Sequence, residues 1–195
     1  MKYLRLVVLI IVISFLLNQP KAEAQPRVKF AAANEVVENK SGEITQTVEK
    51  RELDDRAKIL QAYLSQHNAP LQYHAQDFVD AADEYNLDWK FVAAVSGVES
   101  TFGKHVPGGT DPEFSSFNGW GWGVYGTQAL YFDSWRDGIF TVSKGLRENY
   151  FDKGLTEPYA INKKYAASPH WGKNVTFFLS EIEKFEAEYQ AKNSP

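Results

Sequence analysis

A single glutamate, Glu99, stands at the end of an apolar helical stretch, and a loop rich in glycine and aromatic residues follows it from Gly103 to Gly126. The segment His105-Val106-Pro107-Gly108-Gly109 cannot continue a helix, so the chain must leave the helix just after Glu99. On a projection of about 100° per residue, Glu99 falls between Val92 and Val95, at the flank of the apolar stripe. A carboxyl placed there is partly desolvated, which raises its pKa and allows it to protonate a leaving glycosidic oxygen.

The loop after Glu99 carries five aromatic residues, namely Phe114, Phe117, Trp120, Trp122 and Tyr125. Flat aromatic faces can stack on sugar rings, and glycine lets a long polymer approach the backbone closely. So many rings in a glycine-rich stretch are hard to bury together, so we expect partial exposure. Trp120 and Trp122 alternate with glycines, a period of two that suits a small β-hairpin, although glycine this dense is equally compatible with irregular structure.

Other residue types with reactive side chains form no recognisable site. Four histidines are scattered without the spacing of metal ligands, so we expect neither a metal nor another cofactor; they are His67, His74, His105 and His170. No G-x-S-x-G element supports a serine nucleophile. The chain has no cysteine, which excludes disulfide and thiol chemistry.

Length and composition indicate one ordinary globular domain with appendages. The chain has 195 residues, of which 44% are hydrophobic and 24% are charged. The formal net charge is −4, and lysine and arginine are spread along the chain without forming a basic face. Nucleic acid is therefore not an expected partner.

The first 24 residues have the organisation of a secretory signal peptide. A short basic start, residues 1–5, precedes an apolar run over residues 6–17, and Ala22-Glu23-Ala24 supplies small residues at a cleavage site. The run is shorter than the roughly 20 residues of a spanning helix, but an uncleaved membrane anchor is the alternative. In either case we expect the protein to work outside the cytoplasm, secreted or in the cell envelope.

Periodicity divides the rest of the chain into a tether and a domain. Residues 25–52 are polar and lack a clear period, which predicts a disordered tether. Residues 53–195 carry apolar stripes at helical spacing, which predicts a mainly helical domain. The stripes begin at Leu53, Leu71, Phe91, Phe132 and Trp171, and a shorter helix is expected over Glu157 to Tyr165. Asp88 is the predicted N-cap of the helix that carries Glu99, and Asp133 or Ser134 that of the helix after the loop.

Four segments resemble, in the right order, motifs of bacterial endo-β-N-acetylglucosaminidase autolysins, which belong to the lysozyme-like superfamily. Residues 99–104 look like the signature E-S-x-W/F-G-K, and residues 118–122 are similar to the N-x-F-G-I segment. Residues 132–139 are similar to the aromatic-rich start of a helix in that family. Residues 165–171 resemble its Y-A-T-D-x-x-Y run. The resemblance covers roughly residues 86–175.

The resemblance implies an α-helical, lysozyme-like fold in which a small hairpin lobe flanks a cleft. It implies cleavage of β-1,4 bonds in peptidoglycan glycan strands, which would be the partner of the protein. It assigns the general acid to Glu99 and a hydroxyl that lines the cleft and supports the transition state to Tyr165. It implies sugar contacts at Asn118, Trp120 and Trp122, and we expect Ser100 and Tyr125 to contact the substrate as well.

One departure from the family pattern leaves the mechanism open. Members often carry a second glutamate in the hairpin lobe, whereas this chain has no acid between Trp120 and Phe132. Glu113 and Asp133 are candidate replacements. Without one, the acetamido group of the substrate could assist, or the reaction could end in a 1,6-anhydro sugar as in lytic transglycosylases. A non-catalytic peptidoglycan-binding domain is the alternative from a different functional class.

Overall fold

Six α-helices make up most of residues 52–123 and 129–193, which are the parts of the chain that the computed structural model describes. They are α1 (Asp55–Gln66), α2 (Ala75–Tyr85), α3 (Phe91–Ser100), α4 (Trp135–Asn149), α5 (Pro158–Tyr165) and α6 (Trp171–Asn193). Short 3₁₀ turns lie at Pro70–His74 and Phe151–Lys153. The prediction of a mainly helical fold is confirmed.

The expected signal peptide and all but the last residue of the expected tether lie outside the described residues. Within the described ranges, no helix combines the length and the apolar character that crossing a bilayer requires.

Side chains cap the N-termini of two of the helices. Asp54 accepts a hydrogen bond from the backbone N–H of Arg56 (2.8 Å) at the start of α1. Ser134 accepts one from the N–H of Asp137 (3.1 Å) at the start of α4, which confirms the serine as the cap. The prediction for Asp88 is wrong by two residues, because α3 begins at Phe91 with Lys90 in the cap position. Asp88 instead accepts from the N–H of Lys90 (2.9 Å), and so caps the turn that leads into the helix.

Helix α3 lies at the centre of the packing. Every residue from Phe91 to Gly97 is buried, so the expected single apolar stripe is too narrow a description of this helix. Helix α6 runs antiparallel to it, since Lys90 pairs with Glu186 (3.3 Å) at one end and Glu99 meets Trp171 at the other. Glu99 therefore emerges from a buried helix and not from a surface one.

Two arginines of α4 fix this helix beside α2 and thereby anchor the chain that follows the long loop. Arg136 pairs with Asp77, and Arg147 donates to the carbonyl of Tyr85 (2.6 Å). Because the residue numbers increase together along both helices, α2 and α4 run parallel.

The expected hairpin does not form in the described part of the loop, where residues 118–123 and 129–132 contain turns and irregular backbone but no strand. Residues 124–128 lie outside the described part. The Asn118 side chain joins the two legs instead, donating to the carbonyls of Trp122 (2.7 Å) and Leu130 (2.9 Å). Gly121 and Gly123 have φ of 59° and 64°, in the left-handed region, which interrupts the extended backbone that a strand needs.

Gly97 lies in the middle of α3, and we expect its replacement by alanine to destabilise the fold. An added Cβ would lie 2.7 Å from Cε1 of Phe102 and 3.1 Å from Cδ2 of Phe178. Alanine normally stabilises a helix by roughly 0.5–1 kcal/mol over glycine, whereas overpacking a core typically costs about 1–3 kcal/mol. Gly97→Ala should therefore lower the free energy of unfolding by about 1–2 kcal/mol in chemical denaturation.

The control for this change is Ser180→Ala on the exposed face of α6, which should alter the free energy of unfolding by less than about 0.5 kcal/mol. A Gly97→Ala protein as stable as the wild type would contradict the packing argument.

Candidate active site

Glu99 is the penultimate residue of α3, and the chain turns away immediately after Ser100. Thr101, Phe102 and Gly103 follow with φ of 53°, 59° and 86°, three left-handed residues in succession. This geometry confirms that the helix ends where the sequence predicts. Left-handed backbone costs roughly 1–2 kcal/mol at each non-glycine residue. The fully buried ring of Phe102, packed on Gly97 and Phe178, offsets that cost.

Ser100 fastens the end of α3 to the loop. Its hydroxyl lies within hydrogen-bond distance of the carbonyls of Gly119 (2.8 Å) and Ser96 (3.0 Å), and it accepts from the N–H of Gly103 (2.8 Å). The residue is 3% exposed. Its hydroxyl is therefore occupied by the protein itself, and the predicted contact of Ser100 with a substrate is wrong.

The two carboxylate oxygens of Glu99 have different surroundings. Oε1 accepts a hydrogen bond from the indole N–H of Trp171 at 2.7 Å. Oε2 faces the backbone of Gly121, where an added Cβ would lie only 3.1 Å away. Trp171 holds one side of the carboxyl, and the absence of a side chain at Gly121 leaves room at the other.

Burial raises the pKa of Glu99, and the hydrogen bond from Trp171 opposes this effect only in part. The carboxyl also lies at the C-terminal end of α3, where the helix dipole disfavours negative charge. Glu99 therefore keeps its proton to a higher pH than an ordinary glutamate, as its position at the flank of the apolar stripe predicts.

Tyr165, the last residue of α5, packs against the tryptophan that holds Glu99. Its ring stacks on that of Trp171 with 4.5 Å between centroids and 25° between planes, and its hydroxyl donates to the carbonyl of Trp120 (2.8 Å). Burial, together with the nearby Glu99 and Tyr150, raises the pKa of Tyr165 well above its usual value. The phenol thus stays protonated and joins Trp171 to the loop.

Trp171 is a site residue that sequence reasoning missed, although the motif at residues 165–171 includes it. The available signal was that a buried tryptophan needs a partner for its N–H. Trp171 is 2% exposed, and the partner is Glu99.

The loop residues that are predicted to contact sugar differ in how deeply they are buried. Trp120 is 0% exposed and donates to the carbonyl of Val92 (2.9 Å), so its ring is core and cannot stack on a sugar. Asn118 is 2% exposed and its amide joins the legs of the loop. Trp122 is half-buried, with its ring 5.9 Å from that of Tyr165, and keeps an accessible part. Tyr125 lies outside the described residues.

Neither candidate for a second carboxylate contacts Glu99. Glu113 and Asp133 are exposed, and neither affects the pKa of Glu99. Residues 124–128 contain no acid, so they supply no carboxylate either. In the described ranges no group of three or more histidine, aspartate or glutamate side chains could hold a metal ion.

Comparison with known proteins finds similar proteins by sequence and similar solved structures. No family model matches the chain. Two proteins of Streptococcus pneumoniae, from serotype 4 strain TIGR4 and from strain R6, carry the name "Putative endo-beta-N-acetylglucosaminidase" and are each 26% identical over 123 residues, or 61% of this chain. The match spans only 18% and 17% of their lengths.

Solved structures of Staphylococcus aureus autolysin E resemble the chain with a TM-score of 0.59, at 15–16% identity and over 70% of this chain and 68–69% of theirs. One is a catalytic Glu-to-Ala mutant bound to the disaccharide NAG-NAM, and another holds the muropeptide NAM-L-Ala-D-iGlu. The lysozyme-like fold is confirmed, as is the resemblance to endo-β-N-acetylglucosaminidase autolysins.

Gly121→Ala should change the titration of Glu99, because the new methyl group would crowd Oε2 and remove water from it. We expect the midpoint for Glu99, followed by carboxyl ¹³C NMR, to move to higher pH than in the wild type. Gly109→Ala is the matched control, since Gly109 also has a left-handed φ of 77° but has no atom within 4 Å of an added Cβ. Equal shifts in both variants would show that backbone strain, and not crowding of Oε2, is the cause.

Proposed function

We propose that this chain is a peptidoglycan-cleaving glycosidase of the endo-β-N-acetylglucosaminidase type, with Glu99 as its general acid. The observation that carries the proposal is a half-buried glutamate with a raised pKa, whose Oε1 accepts from Trp171 and whose Oε2 lies beside Gly121. The names of the pneumococcal relatives and the sugar ligands of autolysin E support the choice of substrate.

In this proposal, protonated Glu99 gives its proton to the glycosidic oxygen as the bond between that oxygen and the anomeric carbon breaks. The leaving sugar departs with a free hydroxyl, and positive charge develops on the ring that remains. The accessible part of Trp122 would lie against a sugar ring. Tyr165 would support the site through its stacking on Trp171, because its hydroxyl is bonded to the carbonyl of Trp120.

The second step needs a nucleophile that forms a bond to the anomeric carbon. Because no described carboxylate lies against Glu99, we favour attack by the acetamido oxygen of the substrate, followed by hydrolysis with Glu99 as the base. The same observation favours a second candidate, a lytic transglycosylase in which the 6-hydroxyl attacks and a 1,6-anhydro muramoyl product forms. Glu113 or Asp133 would have a role only if substrate binding brought one of them to the site.

We further propose that the protein is exported and acts on the cell wall. The signal-like residues 1–24 support export, and the cell-wall fragments bound to autolysin E support the location of the substrate. Contact with a membrane is proposed only for the N-terminal segment, and only if it is not cleaved.

Replacing Glu99 by glutamine tests the catalytic assignment, because glutamine keeps the acceptor for Trp171 but has no proton to transfer. We expect Glu99→Gln to digest purified peptidoglycan at least about 100-fold more slowly than the wild type. Mass spectrometry of the wild-type products should reveal reducing N-acetylglucosamine ends. Anhydro-muramoyl ends would instead establish the transglycosylase.

Glu113→Gln and Asp133→Asn are the matched controls, since each neutralises an exposed acid that does not contact Glu99. Both variants should digest peptidoglycan within about twofold of the wild-type rate. Digestion by Glu99→Gln at the wild-type rate would refute the general acid. Saturable binding of cell wall by the wild type without any released ends would favour the non-catalytic alternative.

The same substitution should stabilise the folded protein near neutral pH. A carboxyl whose pKa is raised above its ordinary value of 4.5 adds stability while protonated, and this is lost as the pH rises through the folded pKa. Glutamine stays neutral, so Glu99→Gln should melt at a higher temperature than the wild type at pH 7. The difference should shrink below about pH 4.5, and calorimetry at both pH values would measure it.

A further inference from the structure

We propose that Trp171 is a positioning residue whose indole N–H keeps Oε1 of Glu99 as an acceptor and so places the transferable proton on Oε2. The inference rests on the proposed role of Glu99 as a general acid, and it adds a residue and a direction to that role. Its basis is the 2.7 Å hydrogen bond from Nε1 of Trp171 to Oε1, together with the approach of Gly121 to Oε2.

The chemistry of the indole group determines the direction of the hydrogen bond. An indole N–H donates and cannot accept, so Oε1 must be the acceptor whether Glu99 is charged or neutral. When Glu99 is neutral, its carbonyl oxygen is a stronger acceptor than its hydroxyl oxygen, so the hydrogen bond to Oε1 favours the proton on Oε2. This oxygen faces the loop at Gly121, where the missing side chain leaves space for an incoming glycosidic oxygen.

Trp171 can perform this role because its ring is held on several sides. Tyr165 stacks on it, and the hydroxyl of Tyr165 is itself bonded to the carbonyl of Trp120. The next residue, Gly172, packs so closely on the backbone of residues 158–159 that an added Cβ would lie 2.9 Å from Cα of Tyr159. The side chain of Asn162 accepts from the N–H of Gly172 at 3.0 Å. The N–H of Trp171 thus has a fixed direction.

In the described part of the chain, the hydrogen bond from Trp171 is the specific interaction that acts on the pKa of Glu99 besides burial. From α5 the neutral phenol of Tyr165 faces it, with Tyr150 behind that ring at the end of α4. From α6 it meets Trp171, which does not titrate. The described loop residues 118–123 carry no ionisable side chain.

Trp171→Phe removes the donor and keeps an aromatic ring. The hydrogen bond stabilises the charged form of Glu99, so its loss should move the carboxyl ¹³C titration of Glu99 to higher pH. The alkaline limb of the activity profile on peptidoglycan should move in the same direction. With Oε1 free to carry the proton and the carboxyl free to rotate, the maximal rate should fall about 10- to 100-fold.

Trp89→Phe is the matched control, because Trp89 is also buried but lies beside Lys90 at the opposite end of α3. It should leave the titration of Glu99 unchanged. An unchanged titration in folded Trp171→Phe would overturn the proposal, as would a shifted titration with an unchanged rate. The NMR titration does not depend on activity, so a wild-type protein inert on peptidoglycan would refute the proposed function separately.

A second measurement needs no substitution of Trp171 and decides the question if Trp171→Phe does not fold. The wild type has five tryptophans, and the indole ¹⁵N–H signal of Trp171 should shift with the midpoint of Glu99. In Glu99→Gln this pH dependence should vanish. An indole signal of Trp171 that ignores the Glu99 titration in the wild type would overturn the proposal.

Discussion

Glu99 must be kept out of bulk water and still have a partner for its carboxylate, and the surrounding structure follows from that requirement. Removing a carboxylate from water is costly unless hydrogen bonds or a proton compensate. The end of α3 provides burial and the unfavourable end of a helix dipole, and Trp171 provides one hydrogen bond. A single neutral donor compensates less than a cation would, so the carboxyl remains poised to hold a proton.

Two asparagines hold the irregular segments that approach Glu99 from either side. Asn118 bonds to two carbonyls and to the N–H of Trp122 (3.0 Å), and so shapes the loop that contains Gly121. Asn162 donates to the carbonyl of Ser168 (2.8 Å) and accepts from Gly172, and so shapes the turn before Trp171. Buried amides of this kind satisfy backbone groups that no helix or strand pairs, which lets non-repetitive chain pack closely around a site.

The sequence predicts the helices well and the loop poorly, for a physical reason. Apolar periodicity and the serine at position 134 act locally, and the structure contains the corresponding helices within a few residues. Whether Trp120 and Trp122 are buried depends on the space that the tertiary structure leaves around each ring. Trp120 fits beneath α3 as core, whereas Trp122 lies over Gly145, where an added Cβ would be 2.2 Å from its ring. No local pattern distinguishes these two residues, and no local pattern directs the N–H of Trp171 towards Glu99.

The turn after Glu99 shows how the fold maintains an unfavourable backbone beside the site. Thr101 and Phe102 adopt left-handed φ without being glycine, and such strain persists only where the surroundings over-determine it. Phe102 supplies that constraint, since its ring is enclosed by Tyr63, Phe178 and the bare face of Gly97. The abrupt turn allows Ser100 to bond to Gly119 (2.8 Å), and this bond brings the loop back over the end of α3. Strain at residues 101–102 and the approach of Gly121 to Glu99 are therefore two consequences of one packing arrangement.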